Sequence, residues 1–250
     1  MQTDKVDVPM KAIVTGHSRG LGRAVAQALL ERGIAVLGLS RGAAPQLAER
    51  YPALLTEVAL DLADLAALQA WLAGDAVERF YSDTGTAILI NNAGLVEPVG
   101  ALPLQDVADV ARAVSVNVAA PMMLAAAVAG QGAMQRIVHL SSGAAQTAYP
   151  GWSVYGATKA ALDHHARCAA ADGVASLRIC SVAPGVIDTD MQAQLRQTTP
   201  ERFPLRERFV QLHTGGELTS PERCARQLVD FVLGERFGHD SVVDLRSLSP

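Results

Sequence analysis

Tyr155 and Lys159 stand four residues apart in Tyr155-Gly-Ala-Thr-Lys159, a spacing that puts two side chains on one face of a helix. A phenol is a weak acid, with an ordinary pKa of about 10. A neighbouring ammonium favours the phenolate and lowers that value, which moves Tyr155 toward the range useful for general acid–base chemistry. Upstream, Ser141 and Ser142 offer hydroxyls at the end of a predicted strand; a hydroxyl there can hydrogen-bond a carbonyl oxygen and stabilise a developing alkoxide. Far from both, Thr15-Gly16-His17-Ser18-Arg19-Gly20-Leu21-Gly22 follows a short apolar run and opens a helical stretch. Such a turn presents unpaired backbone N–H groups and the positive end of a helix dipole, and its glycines let a pyrophosphate approach the main chain. A glycine-rich turn without a ligand is the plainer alternative.

The elements that must position these residues alternate along the chain. Strands are predicted at Ala12–Val14, Ile34–Leu39, Leu54–Leu60, Ala87–Ile90, Arg136–Leu140, Leu177–Val182 and Ser241–Asp244. Helices are predicted at Leu21–Arg32, Asp64–Phe80, Gln105–Gly130, Ser153–Ala171, Pro200–Leu212 and Ser220–Leu233, the last with Ser220 as cap and Pro221 in the first turn. Alternation of this kind implies βαβ units: an α/β fold with one Rossmann-type, doubly wound parallel sheet and helices on both faces. The chain has 250 residues, half of them hydrophobic, 18% charged and only 4% aromatic; aliphatic richness suits a sheet buried on both faces. We expect a flexible extension over 1–9 and a single catalytic domain over 10–250, with Met10 at the start of the fold.

The resemblance carried by these residues is to the short-chain dehydrogenase/reductase family, and it covers nearly the whole chain from Lys11 onward. The glycines follow Thr-Gly-x-x-x-Gly-x-Gly, Asn91-Asn92-Ala93-Gly94 follows strand four, Ser142 lies thirteen residues before Tyr155, Tyr155 and Lys159 match Tyr-x-x-x-Lys, and Pro184-Gly185 follows strand six. The resemblance implies catalytic roles for Asn117, Ser142, Tyr155 and Lys159, and its thirteen-residue offset selects Ser142 over Ser141. It implies that Gly16, Ser18, Gly20, Leu21 and Gly22 hold a pyrophosphate, that Asp61 and Leu62 meet the adenine, and that Asn92, Ala93 and Gly94 line the adenosine ribose, with Asn91 structural. Lys159 would bond the nicotinamide ribose beside Tyr155, and Pro184, Gly185, Val186 and Thr189 the nicotinamide amide. Asn117 would hold a water linked to Lys159; a structural cap or kink is its other reading. An acid after strand two would bond a free 2′-hydroxyl, but that place holds Ser40 and Arg41. With Arg19 nearby, the two guanidiniums suit a 2′-phosphate, so the cofactor expected is NADP(H). The implied activity is reduction of a ketone or dicarbonyl, with Tyr155 as proton donor.

The ending Val242-Val243-Asp244-Leu245-Arg246 departs from the Asp-Gly-Gly common in the family and is more similar to the sepiapterin and benzil reductase branch. A 3-oxoacyl or hydroxysteroid-type reductase is the runner-up, and a non-catalytic NADP-binding sensor the rival from another class. The segment 190–216 is where the family builds its substrate lid. Arg196, Arg202, Arg206 and Arg208 crowd it, as surface charges or as an anion-binding set. Trp152 either borders the substrate pocket or packs. A net charge of −4 without a basic stripe argues against nucleic acid. The longest apolar run, Val118–Gly130, falls short of the roughly 20 residues of a membrane span. Three scattered cysteines and the adjacent pair His164 and His165 suggest no metal site; His17 is read as a loop filler. A polar N-terminus leads us to expect a cytoplasmic protein, and the family resemblance a homodimer or homotetramer.

Overall fold

The computed structural model describes residues 9–248. The extension expected over 1–9 therefore lies, up to residue 8, outside the described residues. In chain order the elements are β1 (Met10–Thr15), α1 (Gly20–Leu30), β2 (Ala35–Ser40), α2 (Pro45–Arg50), β3 (Leu55–Ala59), α3 (Leu65–Leu72), α4 (Ala76–Tyr81) and β4 (Thr86–Asn91). Then come α5 (Val107–Val114), a π-helical turn (Ser115–Ala119), α6 (Ala120–Val128), β5 (Met134–Leu140), α7 (Ser153–Ala171), β6 (Leu177–Ala183), α8 (Asp190–Gln197), α9 (Arg206–Thr214), α10 (Pro221–Leu233) and β7 (Val242–Asp244).

All seven strands pair in parallel, in the order β3-β2-β1-β4-β5-β6-β7. Alternation along β1 shows why the sheet is buried on both faces. Ala12 and Val14 join a core with α1 and α10, while Ile13 between them joins a second core with α3 and α6. The strand order reverses between β1 and β4, and at such a switch point the crevice outside the carboxyl ends of the strands takes ligands. Here Thr15 Oγ1 accepts from the backbone N–H groups of both Asn92 and Ala93, each at 2.9 Å.

Several sequence expectations change. The helix expected over 64–80 breaks into α3 and α4 around Gly74 and Asp75, since glycine is a poor helix former. Two helices are added: α2, with Pro45 in its first turn, and α8 within the expected lid. The helix expected at 200–212 forms later, as α9. The long helix carries a π-helical turn directly before Pro121, because a proline has no N–H to close the bond to Asn117 and its ring crowds that carbonyl. Taken together, Val107–Val128 spans 22 residues with a mean hydropathy of 1.5, long and apolar enough by composition to cross a bilayer, whereas the sequence reading took Val118–Gly130 as the longest apolar run. In the fold, Ala113, Leu124 and Val128 on it are buried, and it packs on α3, α7 and β4.

Candidate active site

The glycine turn is built for close approach. Gly16 and Gly20 adopt positive φ values of 69° and 53°, and a Cβ on Gly22 would sit 2.2 Å from the Gly16 carbonyl oxygen and 2.3 Å from Asn92 Nδ2. Arg19, at the N-cap of α1, supplies no side-chain cap, and the first turn holds no acid. The N–H groups there are left for an anion. They open onto a cavity of about 950 Å3, so the cradle fits a pyrophosphate in shape and polarity.

Every cofactor-binding residue expected from the sequence lines this cavity, from Gly16 through Thr189, and Ser142, Tyr155 and Lys159 line it too. Ser40 is nearly buried at the end of β2, its hydroxyl donating to the Gly42 carbonyl; Arg41 beside it is exposed. Arg19 lies 3.4 Å from Asp190, at the start of α8. Asp61 accepts from Ala63 N at 3.0 Å and lies 3.5 Å from Arg112. Asn91 turns away from the cavity, donating to the Pro121 carbonyl and His139 Nδ1.

Asn117 is the exception. It is fully buried, in the π-helical turn, and does not line the cavity. Its Oδ1 accepts from Leu95 N at 2.7 Å, and its Nδ2 donates to the Leu95 carbonyl and to Thr158 Oγ1. A Cβ on Gly94 would nevertheless meet both Asn117 Oδ1 and Lys159 Nζ at 3.4 Å, so the two side chains converge on that glycine.

Lys159 is buried and donates to the Leu140 carbonyl at 2.7 Å. Its Nζ lies 5.7 Å from the centre of the Tyr155 ring. The expected lowering of the Tyr155 pKa is not what the structure gives. Burial pushes the phenol above its ordinary value, with a hydrogen bond from Ser142 opposing; the low-dielectric site disfavours phenolate more than the nearby groups favour it. Lys159 itself is lowered to about 8, by burial first, with the Asp163 charge pulling the other way. At neutral pH the pair is therefore a protonated phenol beside an ammonium.

The reacting end is walled by residues with no sequence signature. Trp152 does both things expected of it: it lines the cavity, and it stacks on Phe203 at 4.9 Å between centroids. Its ring also meets Tyr155, Tyr149 and Phe209 edge-on. In 190–216, Arg202 and Arg206 donate to the carbonyls of Val99 and Arg196, while Arg208 faces the cavity. Arg246, from the turn after β7, also lines it and packs its methylenes on Gly185. His17 is buried with Nε2 2.7 Å from Glu57, and His165 binds His139 at 3.0 Å. Among the described residues no three His, Cys, Asp or Glu side chains group as metal ligands.

Known proteins agree with this architecture. Residues 10–200 match the family model described as short chain dehydrogenase. A benzil reductase ((S)-benzoin forming) of Bacillus cereus is 34% identical over 242 residues, covering 92% of this chain and 97% of the relative. A sepiapterin reductase of Meriones unguiculatus is 32% identical, covering 93% and 94%. A solved short-chain dehydrogenase/reductase from Burkholderia vietnamiensis is 46% identical with a TM-score of 0.70, covering 96% and 98%. A short chain dehydrogenase from Burkholderia cenocepacia, solved in complex with NADP, is 27% identical with a TM-score of 0.73, covering 93% and 94%. With the glycine turn, the Tyr155 and Lys159 pair and the switch-point crevice all in place, the chain belongs to the short chain dehydrogenase family and is an oxidoreductase of that type.

Proposed function

We propose that this protein is an NADP(H)-dependent carbonyl reductase acting on ketones or dicarbonyls. The observation that carries the reading is the burial of Tyr155 beside Lys159 in the same cavity as the uncapped glycine turn. NADP(H), when bound, supplies the hydride that converts the carbonyl carbon to an alcohol. The chain supplies the rest. Gly16, Ser18, Gly20, Leu21 and Gly22 bind the pyrophosphate, and Arg41, Arg19 and Ser40 take the 2′-phosphate. Asp61, Leu62, Asn92, Ala93 and Gly94 hold the adenosine, and Pro184, Gly185, Val186 and Thr189 the nicotinamide amide.

Ser142 donates a hydrogen bond to the substrate oxygen, and Tyr155 gives that oxygen its proton. Lys159 stabilises the phenolate left behind and binds the cofactor ribose. Asn117 supports the Lys159 end through Gly94, and 190–216 closes over the substrate. Support for NADP(H) comes from the absence of an acid at Ser40 and Arg41 and from the relative solved with NADP; support for carbonyl substrates comes from the relatives named benzil and sepiapterin reductase. A cytoplasmic location and self-association as a dimer or tetramer go with this reading.

NADPH oxidation measured against a panel of dicarbonyls, benzil among them, tests it. Tyr155→Phe should lose at least about 100-fold in kcat, the lower end of what general acid–base groups contribute, while binding NADPH as before. Tight NADPH binding with no turnover of any carbonyl would reject the reductase in favour of a cofactor sensor.

A further inference from the structure

Asp163 sits one helical turn beyond Lys159 on α7 and is 3% exposed. Its Oδ1 accepts from Ser141 Oγ at 2.6 Å and from Ser181 Oγ at 2.7 Å. Ser141 directly follows Leu140, whose carbonyl takes the Lys159 ammonium. Two successive residues at the end of β5 thus grip opposite charges, one through the main chain and one through a side chain. We propose that Asp163 is a positioning residue for Lys159, a buried counter-charge fixed by Ser141 and Ser181 that keeps the ammonium charged beside Tyr155.

A structural tether between α7 and the sheet would not need a charge, since an amide of the same shape can also bond hydroxyls. A buried carboxylate is costly unless another charge or donors offset it. The other groups facing Lys159 do not offset its charge. Tyr155 on α7 is a neutral phenol, Asn117 meets it across Gly94, and Ser181 on β6 is uncharged. His139 on β5 is pushed down to about 3, by burial first and then by His165 and Lys159, and so is neutral, with His165 beyond it on α7. Burial drives Lys159 toward the free amine, and the Asp163 charge is what opposes it.

The need for a charged Lys159 rests on the reductase reading, but the test does not. The chain has three lysines, Lys5, Lys11 and Lys159, so protein labelled with 13C at lysine Cε gives three signals to follow as pH rises. Lys159→Arg assigns the relevant one. Asp163→Asn should lower the Lys159 midpoint by at least about one pH unit, the size of effect a nearby charge exerts on a buried group. The alkaline limb of kcat/KM for benzil reduction should move with it, while the plateau at lower pH changes less than about threefold. A Lys159 midpoint unchanged in Asp163→Asn, with the fold intact by circular dichroism, overturns the proposal. If Asp163→Asn does not fold, Asp163→Ser makes the same comparison with a smaller neutral group. A shifted midpoint in a protein that turns over no carbonyl supports the role of Asp163 and rejects the reductase reading.

Discussion

At the floor of the cavity, short polar groups and bare backbone do the holding, whereas over the Tyr155 end aromatic rings do. Thr15, Asn92 and the glycines meet through hydrogen bonds near 2.9 Å and contacts that leave no room for a methyl group. Trp152, Phe203, Phe209 and Tyr149 meet through ring faces and edges about 5 Å apart, from loops and short helices. Hydrogen bonds at fixed spacing specify one geometry, while apolar packing tolerates repacking at similar volume. The glycine-turn end is thus the rigid part of the cavity, and the aromatic end the adjustable part.

Gly22→Ala should break the first region most severely. Its Cβ has nowhere to go but into the Gly16 carbonyl and Asn92, and NADPH affinity by fluorescence titration should fall by more than about 100-fold, or ~2.7 kcal/mol. An affinity within threefold of wild type would mean that the floor is no stiffer than the lid. Arg41→Asp, at the same end, should cost NADPH about 30-fold, close to 2 kcal/mol, without a loss for NADH, because the new carboxylate repels a 2′-phosphate but can bond a free 2′-hydroxyl. Equal loss for both cofactors would remove the 2′-phosphate assignment.

Phe203→Ala probes the other end. Phe203 is fully buried against Trp152 and Phe209, so its loss should raise the KM for an aromatic dicarbonyl by about tenfold, or ~1.4 kcal/mol, with NADPH affinity within twofold of wild type. A matching fall in NADPH affinity would show that the two regions are one mechanical unit. A separate effect is expected on stability against pH. His139 is neutral in the fold, with its pKa lowered to about 3 from 6.5. The unfolded chain takes up a proton that the fold refuses, so this contribution is complete above pH 6.5 and is lost as pH falls toward 3. Melting temperature followed from pH 7 to 4 should fall less steeply in His139→Gln, which keeps a donor and an acceptor for Asn91 and His165; parallel curves would take His139 out of the acid response.

The same contrast explains what could be read from the sequence. Strand alternation and the motifs at Gly16, Asn92, Ser142, Tyr155 and Pro184 fall at the ends of regular elements, where local residue types dictate local geometry. That is why the sheet and the lining of the cofactor cavity were legible. The lid was not: α8 is short and polar, its partners lie far away in sequence, and Phe203 and Phe209 carry no periodic signal. Arg246 reaches the cavity only because β7 pairs with β6. The geometry of Asn117 was not legible: in the π-helical turn its amide bonds the Leu95 main chain and does not line the cavity. Tyr155 was legible as a residue of the cavity beside Lys159, yet burial reversed the expected direction of its pKa.

Thr15 Oγ1, accepting two backbone N–H groups from across the switch point, has a mechanical consequence. It rivets β1 to the segment after β4, so the crevice floor cannot hinge open along the line where the strand order reverses. A ligand in this cavity therefore rests on a bed pinned from both sides of the switch point.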